Sequence, residues 1–351
     1  MIEQLRAKLR DEKVDVFLVT ASVSRRYLTG FTGSAGLVWI DQERQMLITD
    51  FRYIEQAASQ CPAWEIVKHD GVLEKIKELS NIYGVQRIAI EGEHITINQL
   101  NSWDKELAIE FVSTSKWVQN LRIVKSAEEI CSLHKAAQIA DEGFTRVLPR
   151  IKPGVSELDI ALDLDFTMRR LGAMGVSFEP IVASGPNAAL PHARPSQRCL
   201  QEGDFVVIDF GCVYQGYCSD MTRTLVIGTP TEKQQAVYSL VLKAQLAGLN
   251  AVGVGKTGVE IDKVARDIIN AGGYRDYFGH GLGHGVGLEV HEEPRLSKIG
   301  QTQLRPGMVV TVEPGIYLPG WGGVRIEDLV VVTEDGVDIL SSTSKELHVV
   351  E

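Results

Sequence analysis

Two segments of this chain place acidic residues inside strongly apolar, strand-forming runs, and this feature restricts the fold more than any other. Asp209 lies in VVIDFG and Asp220 in YCSDMTRT, on two predicted strands joined by a short polar turn. If the turn residues are Tyr214 and Gln215, the two aspartates face each other directly. If they are Gln215 and Gly216, the aspartates are diagonal neighbours on one face of the sheet. Either register brings two carboxylates together.

Neighbouring carboxylates in an apolar sheet repel each other unless a cation lies between them. For one isolated pair, an alternative is that one aspartate caps a turn while the other is solvated. A second hairpin repeats the pattern, because Glu313 and Glu327 flank a Pro/Gly-rich loop in VTVEPGIYLPGWGGVRIEDLV. A five-residue loop over 318–322 would place these two glutamates opposite each other. Two acid-bearing hairpins in one chain indicate a metal site.

A histidine-rich and glycine-rich run, GHGLGHGVGLEVHEEP, supplies a further ligand. Its glycines allow close approach of the backbone to a ligand, and its histidines offer neutral imidazole nitrogens. Four carboxylates and one imidazole suit Mn, Fe(II), Co or Zn. Four negative charges are balanced by two divalent cations, which favours a two-metal site over a one-metal site. Such a pair of cations is typical of enzymes that hydrolyse amides or esters.

A chain of 351 residues predicts two domains, each with its own core. The first part alternates helix and strand patterns, with a strand predicted over 14–19. Ser126 precedes Glu129 by the spacing of a capping box, so a helix should begin there. We therefore expect domains at 1–122 and 123–351.

The second domain contains a weak internal similarity between residues 151–173 and 252–274, each a Gly-containing turn followed by an apolar helix with a Gly stop. A chance likeness of two turn-helix units is the alternative. If the similarity is a true repeat, it predicts two similar helix-sheet halves around a central crevice. Hairpin signals after each helix predict an α+β fold with antiparallel strands.

Charge and composition exclude several classes of protein. The formal charge of -10, without a dense Lys/Arg tract, argues against a nucleic-acid partner. No apolar run reaches the roughly 18 residues that a membrane span needs. The five cysteines are odd in number, scattered and without CxxC spacing, which predicts reduced thiols and a cytoplasmic protein.

The acidic and histidine motifs together resemble a known family. In the strings DFG, SDMTRT, GHGLGHG, VEPGIY and RIEDLV, the chain is similar to the pita-bread metallopeptidases, which include proline dipeptidases, aminopeptidase P, methionine aminopeptidase and creatinase. RYLTGFTGSAG (26–36) resembles the smaller first domain of the proline-specific and creatinase branch, and FEPIVASGPNAALPHARPS (178–196) resembles its substrate-side segment. The resemblance implies an α+β pita-bread domain with pseudo-twofold helix-sheet halves, preceded by a smaller α/β creatinase-like domain.

The resemblance also implies metal ligands. Asp209 would bind one metal, and Asp220 with Glu327 would bridge two. His284 and Glu313 would complete the second metal. Glu313 is also the implied general base. The implied cofactors are two divalent ions per subunit, Mn2+ or Co2+ first, with Zn2+ or Fe2+ as alternatives.

Substrate-binding residues follow from the same resemblance. His192 and His291 correspond to histidines that hold substrate and stabilise the tetrahedral intermediate, with a loop histidine as the alternative for His192. Arg295 would pair with the terminal carboxylate of a dipeptide, unless it is a surface arginine. His280 has either a substrate-binding or a structural role. Phe178 begins the substrate-side segment and is expected to contact substrate.

The expected activity is hydrolysis of the Xaa-Pro bond in small peptides with proline second, above all dipeptides, in a homodimer without nucleic-acid or membrane partners. The first alternative is an Xaa-Pro aminopeptidase that acts on longer peptides. A creatinase-like hydrolase would need no metal, yet all five ligand positions are filled. A non-catalytic binding module of the same fold would typically lack some ligands. Methionine aminopeptidase is disfavoured by the extra first domain.

Overall fold

The computed structural model describes residues 1–351, and the chain divides into two compact units, Met1–Arg122 and Ile123–Glu351. The mixed helix and strand content agrees with the expected fold class. Of the ten α-helices, none combines the length and the apolar composition that crossing a bilayer requires.

The first unit is an α/β layer structure built on a six-stranded sheet. Its strands are β1 (Val16–Val19), β2 (Leu37–Ile40), β3 (Gln45–Thr49), β4 (Glu65–Lys68), β5 (Arg87–Glu91) and β6 (Glu110–Thr114). Its helices are α1 (Ile2–Glu12), α2 (Ser22–Thr29), α3 (Ile54–Gln60), α4 (Val72–Tyr83), α5 (Ile97–Glu106) and α6 (Trp117–Arg122). The strand order is β4-β3-β2-β1-β5-β6, with β2 antiparallel to both neighbours and the other pairs parallel.

Strand β1 shows why this sheet is covered on both faces. Phe17 and Val19 belong to one buried cluster, whereas Val16 and Leu18 belong to another. Because successive side chains of a strand point to opposite faces, a continuous apolar run is buried only between two helical layers. The strand is shorter than the predicted 14–19, since Val14 is buried in the turn that follows α1.

The second unit contains two helix pairs and several small sheets, antiparallel except where one terminal strand adds in parallel. Its helices are α7 (Ala127–Val147), α8 (Glu157–Arg170), α9 (Glu232–Ala251) and α10 (Gly258–Ala271). Its strands are β7 (Gly175–Val176), β8 (Ile181–Ser184), β9 (Phe205–Phe210), β10 (Cys212–Tyr214), β11 (Tyr217–Cys218), β12 (Met221–Ile227), β13 (Gly283–Gly285), β14 (Glu292–Leu296), β15 (Val309–Val312), β16 (Gly315–Leu318), β17 (Gly322–Arg325), β18 (Asp328–Thr333), β19 (Gly336–Ile339) and β20 (His348–Val350).

The two larger sheets each pack against one helix pair. The sheet β20-β12-β9-β8 shares a buried core with α7 and α8, which includes Phe144, Leu164 and Ile208. The sheet β14-β13-β15-β18-β19 shares a core with α9 and α10, which includes Val241 and Val310. Helix α7 begins at the predicted capping box, formed by Ser126 and Glu129. The unit therefore consists of two helix-sheet halves.

The two halves repeat one local arrangement. The backbone N–H of Gly154, before α8, donates to Leu200 O, and that of Gly255, before α10, donates to Leu304 O, both at 2.9 Å. An isolated antiparallel bridge follows each pair. The similarity between the two turn-helix segments in the sequence therefore has a structural counterpart, as a pseudo-twofold fold requires.

The first acidic hairpin has the second of the two registers considered from the sequence. Gln215 and Gly216 form its turn, with φ values of 48° and 87°. Two-residue hairpin turns of this hand need positive φ at both positions, which glycine adopts without strain. Asp209 pairs with Thr222, so Asp220 is a diagonal neighbour of Asp209 on the same face.

The second acidic hairpin has the predicted register but a shorter loop. Leu318 pairs with Gly322, so only residues 319–321 are unpaired, whereas a five-residue loop was expected. The register is the same on the far side of the break, in the β15-β18 pair. Glu313 and Glu327 therefore occupy facing positions.

Candidate active site

The ladders of both acidic hairpins are interrupted where the carboxylates stand. Only Asp209 lies inside a strand, whereas Asp220 precedes β12, Glu313 follows β15 and Glu327 precedes β18. Asp220 was expected on a strand and instead immediately precedes one, whereas Glu313 and Glu327 flank strand ends as their apolar context indicated. At one break, a Cβ on Gly211 would meet the Ser219 carbonyl oxygen at 1.9 Å. The breaks turn the acidic side chains out of the regular pleat and towards one another.

The histidine run brings an imidazole to these acids. His284 Nε2 lies 3.6 Å from Asp220 Oδ2 and 3.4 Å from Glu313 Oε1. Its Nδ1 lies 3.0 Å from Gly285 O, so Nδ1–H donates to that carbonyl and Nε2 keeps its lone pair towards the carboxylates. Ligand atoms of Asp220, His284 and Glu327 all lie within 4.8 Å of one another. The structure thus brings together residues from four separate segments.

Asp209 is held by a buried arginine that the sequence analysis did not single out. Arg325 Nη2 donates to Asp209 Oδ2 at 2.6 Å, and the two side chains are 3% and 13% exposed. Asp209 Oδ1 is buried and has no hydrogen-bond partner. A buried carboxylate oxygen without a partner is costly, and a metal ion is one group that removes this cost.

Two threonines orient the glutamates. Thr222 Oγ1 donates to Glu327 Oε2 at 2.6 Å, and Thr311 Oγ1 donates to Glu313 Oε1 at 3.2 Å. Each hydroxyl engages one carboxylate oxygen and leaves the other for a ligand. Hydrogen bonds of this kind to the residues around a metal fix the direction of their lone pairs.

Burial and mutual repulsion disfavour the ionised forms of the carboxyl groups in the acidic cluster when no cation is bound. Desolvation, followed by repulsion from neighbouring carboxylates, raises the pKa of Asp220 and of Glu327 well above the ordinary range. Desolvation raises the pKa of Glu313 to about 8, and Arg325 opposes that rise. Desolvation and the neighbouring His291 lower the pKa of His284 to about 4, so its imidazole is neutral. Neutral imidazole and carboxylates that gain from a nearby cation fit divalent metal ions.

The other histidines lie around the same centre. The rings of His284 and His291 are 4.3 Å apart in an edge-to-face arrangement. His192 is exposed, yet its charge would contribute to the lowered pKa of both His280 and His291, although burial is the larger cause at each. His192 therefore lies near both of these residues.

His280 is engaged within the protein. Its Nδ1 lies 2.7 Å from Gly281 O, and its Nε2 lies 2.9 Å from the Tyr317 hydroxyl. Desolvation lowers the pKa of His280 to about 4, so Nδ1–H donates to the carbonyl and Nε2 accepts from Tyr317. This arrangement fits the structural role considered for His280, because both ring nitrogens already have partners. Tyr317 in turn accepts from Arg325 Nη1 at 2.8 Å.

Two further residues expected to contact substrate are differently placed. Arg295 is exposed and stands directly opposite His284 in the β13-β14 pair, and its guanidinium forms no ion pair or hydrogen bond within the chain. Phe178 is half-buried in the segment between β7 and β8. Arg295 is therefore free to bind an anionic group close to the centre.

Arg325 and Tyr317 are the site residues that the sequence analysis missed. Arg325 stands two residues before Glu327 in GGVRIEDL, the spacing that puts two side chains on one face of a strand. An arginine in an apolar run, two residues from an acid, could have identified Arg325 from the sequence. The sequence around Tyr317 has no such feature, because a tyrosine among strand residues is typical of an ordinary core.

Comparison with known proteins shows the family of the chain. The family model described as metallopeptidase family M24 matches residues 132–334, and the creatinase/prolidase N-terminal domain matches residues 1–124. A solved Xaa-Pro dipeptidase from Bacillus anthracis has a TM-score of 0.97 at 46% identity, covering 99% of this chain and 98% of that one. The Xaa-Pro dipeptidase of Pyrococcus furiosus is 38% identical over 349 residues, 99% of each chain.

A second activity is represented among the similar structures. An X-Pro aminopeptidase from Thermotoga maritima has a TM-score of 0.91 at 38% identity, covering 97% of this chain and 100% of that one. Both kinds of relative match over nearly the whole chain, so the family assignment covers both units. The chain belongs to metallopeptidase family M24, with a creatinase/prolidase N-terminal domain before the metallopeptidase domain.

Proposed function

We propose that this protein is a dinuclear-metal peptidase that hydrolyses the Xaa-Pro bond of dipeptides. The observation that carries the proposal is the convergence of Asp220, His284 and Glu327, with Asp209 Oδ1 buried and unpartnered beside them. Relatives named Xaa-Pro dipeptidase match the chain from end to end. Together these observations support the same reaction and the same class of substrate for this protein as for those relatives.

The proposed metal ligands are Asp209, Asp220, His284, Glu313 and Glu327. Asp209 would bind one ion. His284 and Glu313 would bind the other ion, and Asp220 and Glu327 would be shared by the two. Four carboxylates with Arg325 paired to one of them leave more negative charge than one divalent ion offsets, which supports two ions. The proposed ions are Mn2+ or Co2+, with Zn2+ or Fe2+ as alternatives. When bound, the ions supply the Lewis acidity that acidifies a water molecule and polarises the scissile carbonyl.

Glu313 is the proposed general base. Its side chain is 16% exposed, whereas Glu327 is buried, so a solvent water molecule reaches Glu313 more readily. Thr311 holds Oε1, and Oε2 lies 4.0 Å from His280 Nδ1. Glu313 would take the proton of the attacking water and pass it to the proline nitrogen as the amide bond breaks.

His192, His291 and Arg295 are proposed to bind the substrate. Imidazole N–H groups of His192 and His291 would donate hydrogen bonds to the carbonyl oxygen as it gains negative charge. The free guanidinium of Arg295 would pair with the terminal carboxylate, which in an Xaa-Pro dipeptide belongs to the proline itself. That carboxylate lies further from the scissile bond in any longer peptide, so Arg295 selects for length. Phe178 is proposed to pack against the substrate, and His280 to support the site through Tyr317.

A substrate panel tests the proposal directly. Protein loaded with Mn2+ is assayed on an Xaa-Pro dipeptide, the matching Xaa-Pro-Xaa tripeptide and a dipeptide without proline. We expect the Xaa-Pro dipeptide to have the highest kcat/KM. Arg295→Met should lower kcat/KM for the dipeptide by about ten-fold or more, because a charged hydrogen bond is lost, with a smaller effect on the tripeptide. Preference for the tripeptide, unchanged in the variant, would reject the dipeptidase assignment.

The second candidate is an Xaa-Pro aminopeptidase, favoured by the similarity to the Thermotoga maritima enzyme. It predicts the reverse order of kcat/KM in the same panel. Activity that survives exhaustive chelation would instead favour a creatinase-like reaction. Absence of both bound metal and peptidase activity would favour a binding module.

Oligomeric state and compartment complete the proposal. We propose a homodimer, which light scattering coupled to gel filtration tests by mass. We also propose a reducing compartment such as the cytoplasm. All five cysteines are free thiols, and three of them are buried, which suits a chain that does not rely on disulfides.

A further inference from the structure

Glu157, the first residue of α8, is a fully buried carboxylate that belongs to no ion pair. Its Oε1 accepts from Ser184 N at 2.7 Å and Ser184 Oγ at 2.6 Å. Its Oε2 accepts from Ser196 N at 3.1 Å and Ser196 Oγ at 2.6 Å. Asn187 Nδ2 lies 3.1 Å and 3.2 Å from the two oxygens. One carboxylate therefore holds both ends of a single loop.

This loop, residues 184–196, carries His192 and is called the histidine loop below. Its first part is a 3-10 helix, Gly185–Ala189, which packs against β16 and β17 and buries Ala188. Residues 190–195, which include His192, form few hydrogen bonds. Ala193 N donates to Leu190 O at 3.1 Å, and Pro191 O accepts from Arg325 Nη1 at 3.4 Å. A surface loop whose ends lie close together is compact, but the direction of its tip depends on how those ends are fixed. The segment that carries His192 thus runs from this helix to Ser196, and Glu157 fixes its far end at Ser196.

The first residue of α10, which corresponds to Glu157 in the other half, also supports a segment that carries a proposed substrate-binding residue. Helix α10 begins at Gly258, where a Cβ would meet the carbonyl oxygen of Arg295 at 2.0 Å. The segment that carries Arg295 therefore packs directly on the backbone of α10. In the first half a glutamate fills the corresponding place and holds the histidine loop by its side chain. In both halves the first residue of the second helix, α8 or α10, supports a segment with a proposed substrate-binding residue.

We infer that Glu157 is a positioning residue, which fixes His192 over the centre by holding both ends of the histidine loop. This inference rests on the proposed function and adds the group that sets the position of one of its substrate-binding residues. A carboxylate is suited to the task because both oxygens accept hydrogen bonds, whereas an amide offers one acceptor and one donor. The N–H groups of Ser184 and Ser196 cannot reverse their polarity, so glutamine must release one end of the loop.

A double-mutant cycle with His192 tests the inference. Glu157→Gln should lower kcat/KM for an Xaa-Pro dipeptide by about ten-fold, because a displaced substrate-binding group loses its interaction with the transition state. In a His192→Ala background the same change should cost less than about two-fold, since the residue it positions is gone. Metal content should stay equal to that of the parent protein. Equal losses in the two backgrounds would overturn the inference.

Asp141 offers a matched control. It is buried and accepts hydrogen bonds from the backbone N–H and hydroxyl groups of Ser342 and Thr343, in a loop without a proposed site residue. Asp141→Asn should lower the melting temperature as Glu157→Gln does, yet keep kcat/KM within about two-fold of the parent protein. A ten-fold loss in this control as well would assign the effect to general loosening and reject a positioning role.

A second variant and a hydrogen-exchange measurement distinguish loss of loop anchoring from misfolding and from failure of the proposed activity. If Glu157→Gln does not fold, Ser196→Ala removes one hydroxyl from the same carboxylate and should give a smaller loss with the same dependence on His192. Hydrogen exchange should rise in residues 190–195 of either variant and stay unchanged in α9. Unchanged exchange in the histidine loop rejects the anchoring. A parent protein inactive on Xaa-Pro dipeptides rejects the proposed function while the exchange result still stands.

Discussion

Arg325 donates to one oxygen of Asp209 at 2.6 Å and leaves the other oxygen of that carboxylate buried without a partner. The guanidinium thus neutralises part of the acidic cluster while keeping an acceptor directed into it. A second bond from Arg325, to the Tyr317 hydroxyl, links the same cation to His280 through one shared oxygen. The arginine couples the acidic side of the site to its histidine side.

Asp209→Asn should remove about one of two metal ions per chain. The amide keeps the hydrogen-bonding shape of the residue but loses the charge and one strong oxygen ligand. Metal content after dialysis, measured by inductively coupled plasma mass spectrometry, should fall from about two ions to about one, with loss of peptidase activity. Asp338→Asn, at an exposed position of β19, serves as the control and should keep both metal ions and the peptidase activity. Two retained ions in the Asp209→Asn variant would remove this residue from the ligand set.

Glu313→Gln should lower kcat by about 10³-fold in metal-loaded protein, within the range that loss of a general base produces. The amide cannot accept the proton of the attacking water at neutral pH. The exposed Glu334→Gln is a matched change and should leave kcat within about two-fold. Full activity of the Glu313→Gln variant would show that another group accepts the proton.

Much of the site follows from the sequence because its signals are local. The acids stand out within apolar runs, and the hairpin turns restrict their registers to one or two choices. The capping box at Ser126 is contained within four residues. By contrast, Arg325 reaches Asp209 across 116 positions of the chain, and Glu157 reaches Ser196 across 39. Such pairs depend on tertiary packing between distant segments, and no local pattern encodes that.

The stability of metal-free protein should decrease as pH rises from about 6.5 to about 8, above the range in which the lowered pKa values of His280 and His284 act in the opposite direction. Burial raises the pKa of Glu313 from 4.5 to about 8 in the folded chain, and burial with repulsion raises those of Asp220 and Glu327 in the same direction. A carboxyl group with a raised folded pKa stabilises the protein fully below its unfolded pKa. That stability is lost as pH rises through the folded value.

Calorimetry with and without chelator over this pH range measures the effect. Bound divalent ions take the place of the protons, so the increase in melting temperature on adding metal should be largest near pH 8. Equal pH dependence of the chelated and the loaded protein would show that these carboxyl groups do not govern the stability of the metal-free state.

Asp328→Asn should be among the most destabilising single substitutions in the second unit. Asp328 and Arg223 form an ion pair at 2.8 Å with both side chains fully buried, and Gln245 and Lys345 donate to the other oxygen of Asp328. Removing one member of a buried pair typically costs about 3–5 kcal/mol, because the remaining charge keeps its desolvation penalty. The amide also turns a donor towards a lysine that needs an acceptor.

Urea unfolding of the metal-loaded protein, followed by circular dichroism, should show this loss as a lower midpoint. Asp338→Asn makes the same change at an exposed position, and its free energy of unfolding should stay within about 0.5 kcal/mol of that of the parent protein.

Arg223 also donates to the carbonyl oxygens of Thr222 and Glu327, so its orientation affects the strands that carry a proposed ligand. Metal affinity should therefore fall together with stability in the Asp328→Asn variant. A large loss of stability with unchanged metal affinity would show that the buried pair supports the fold without shaping the site.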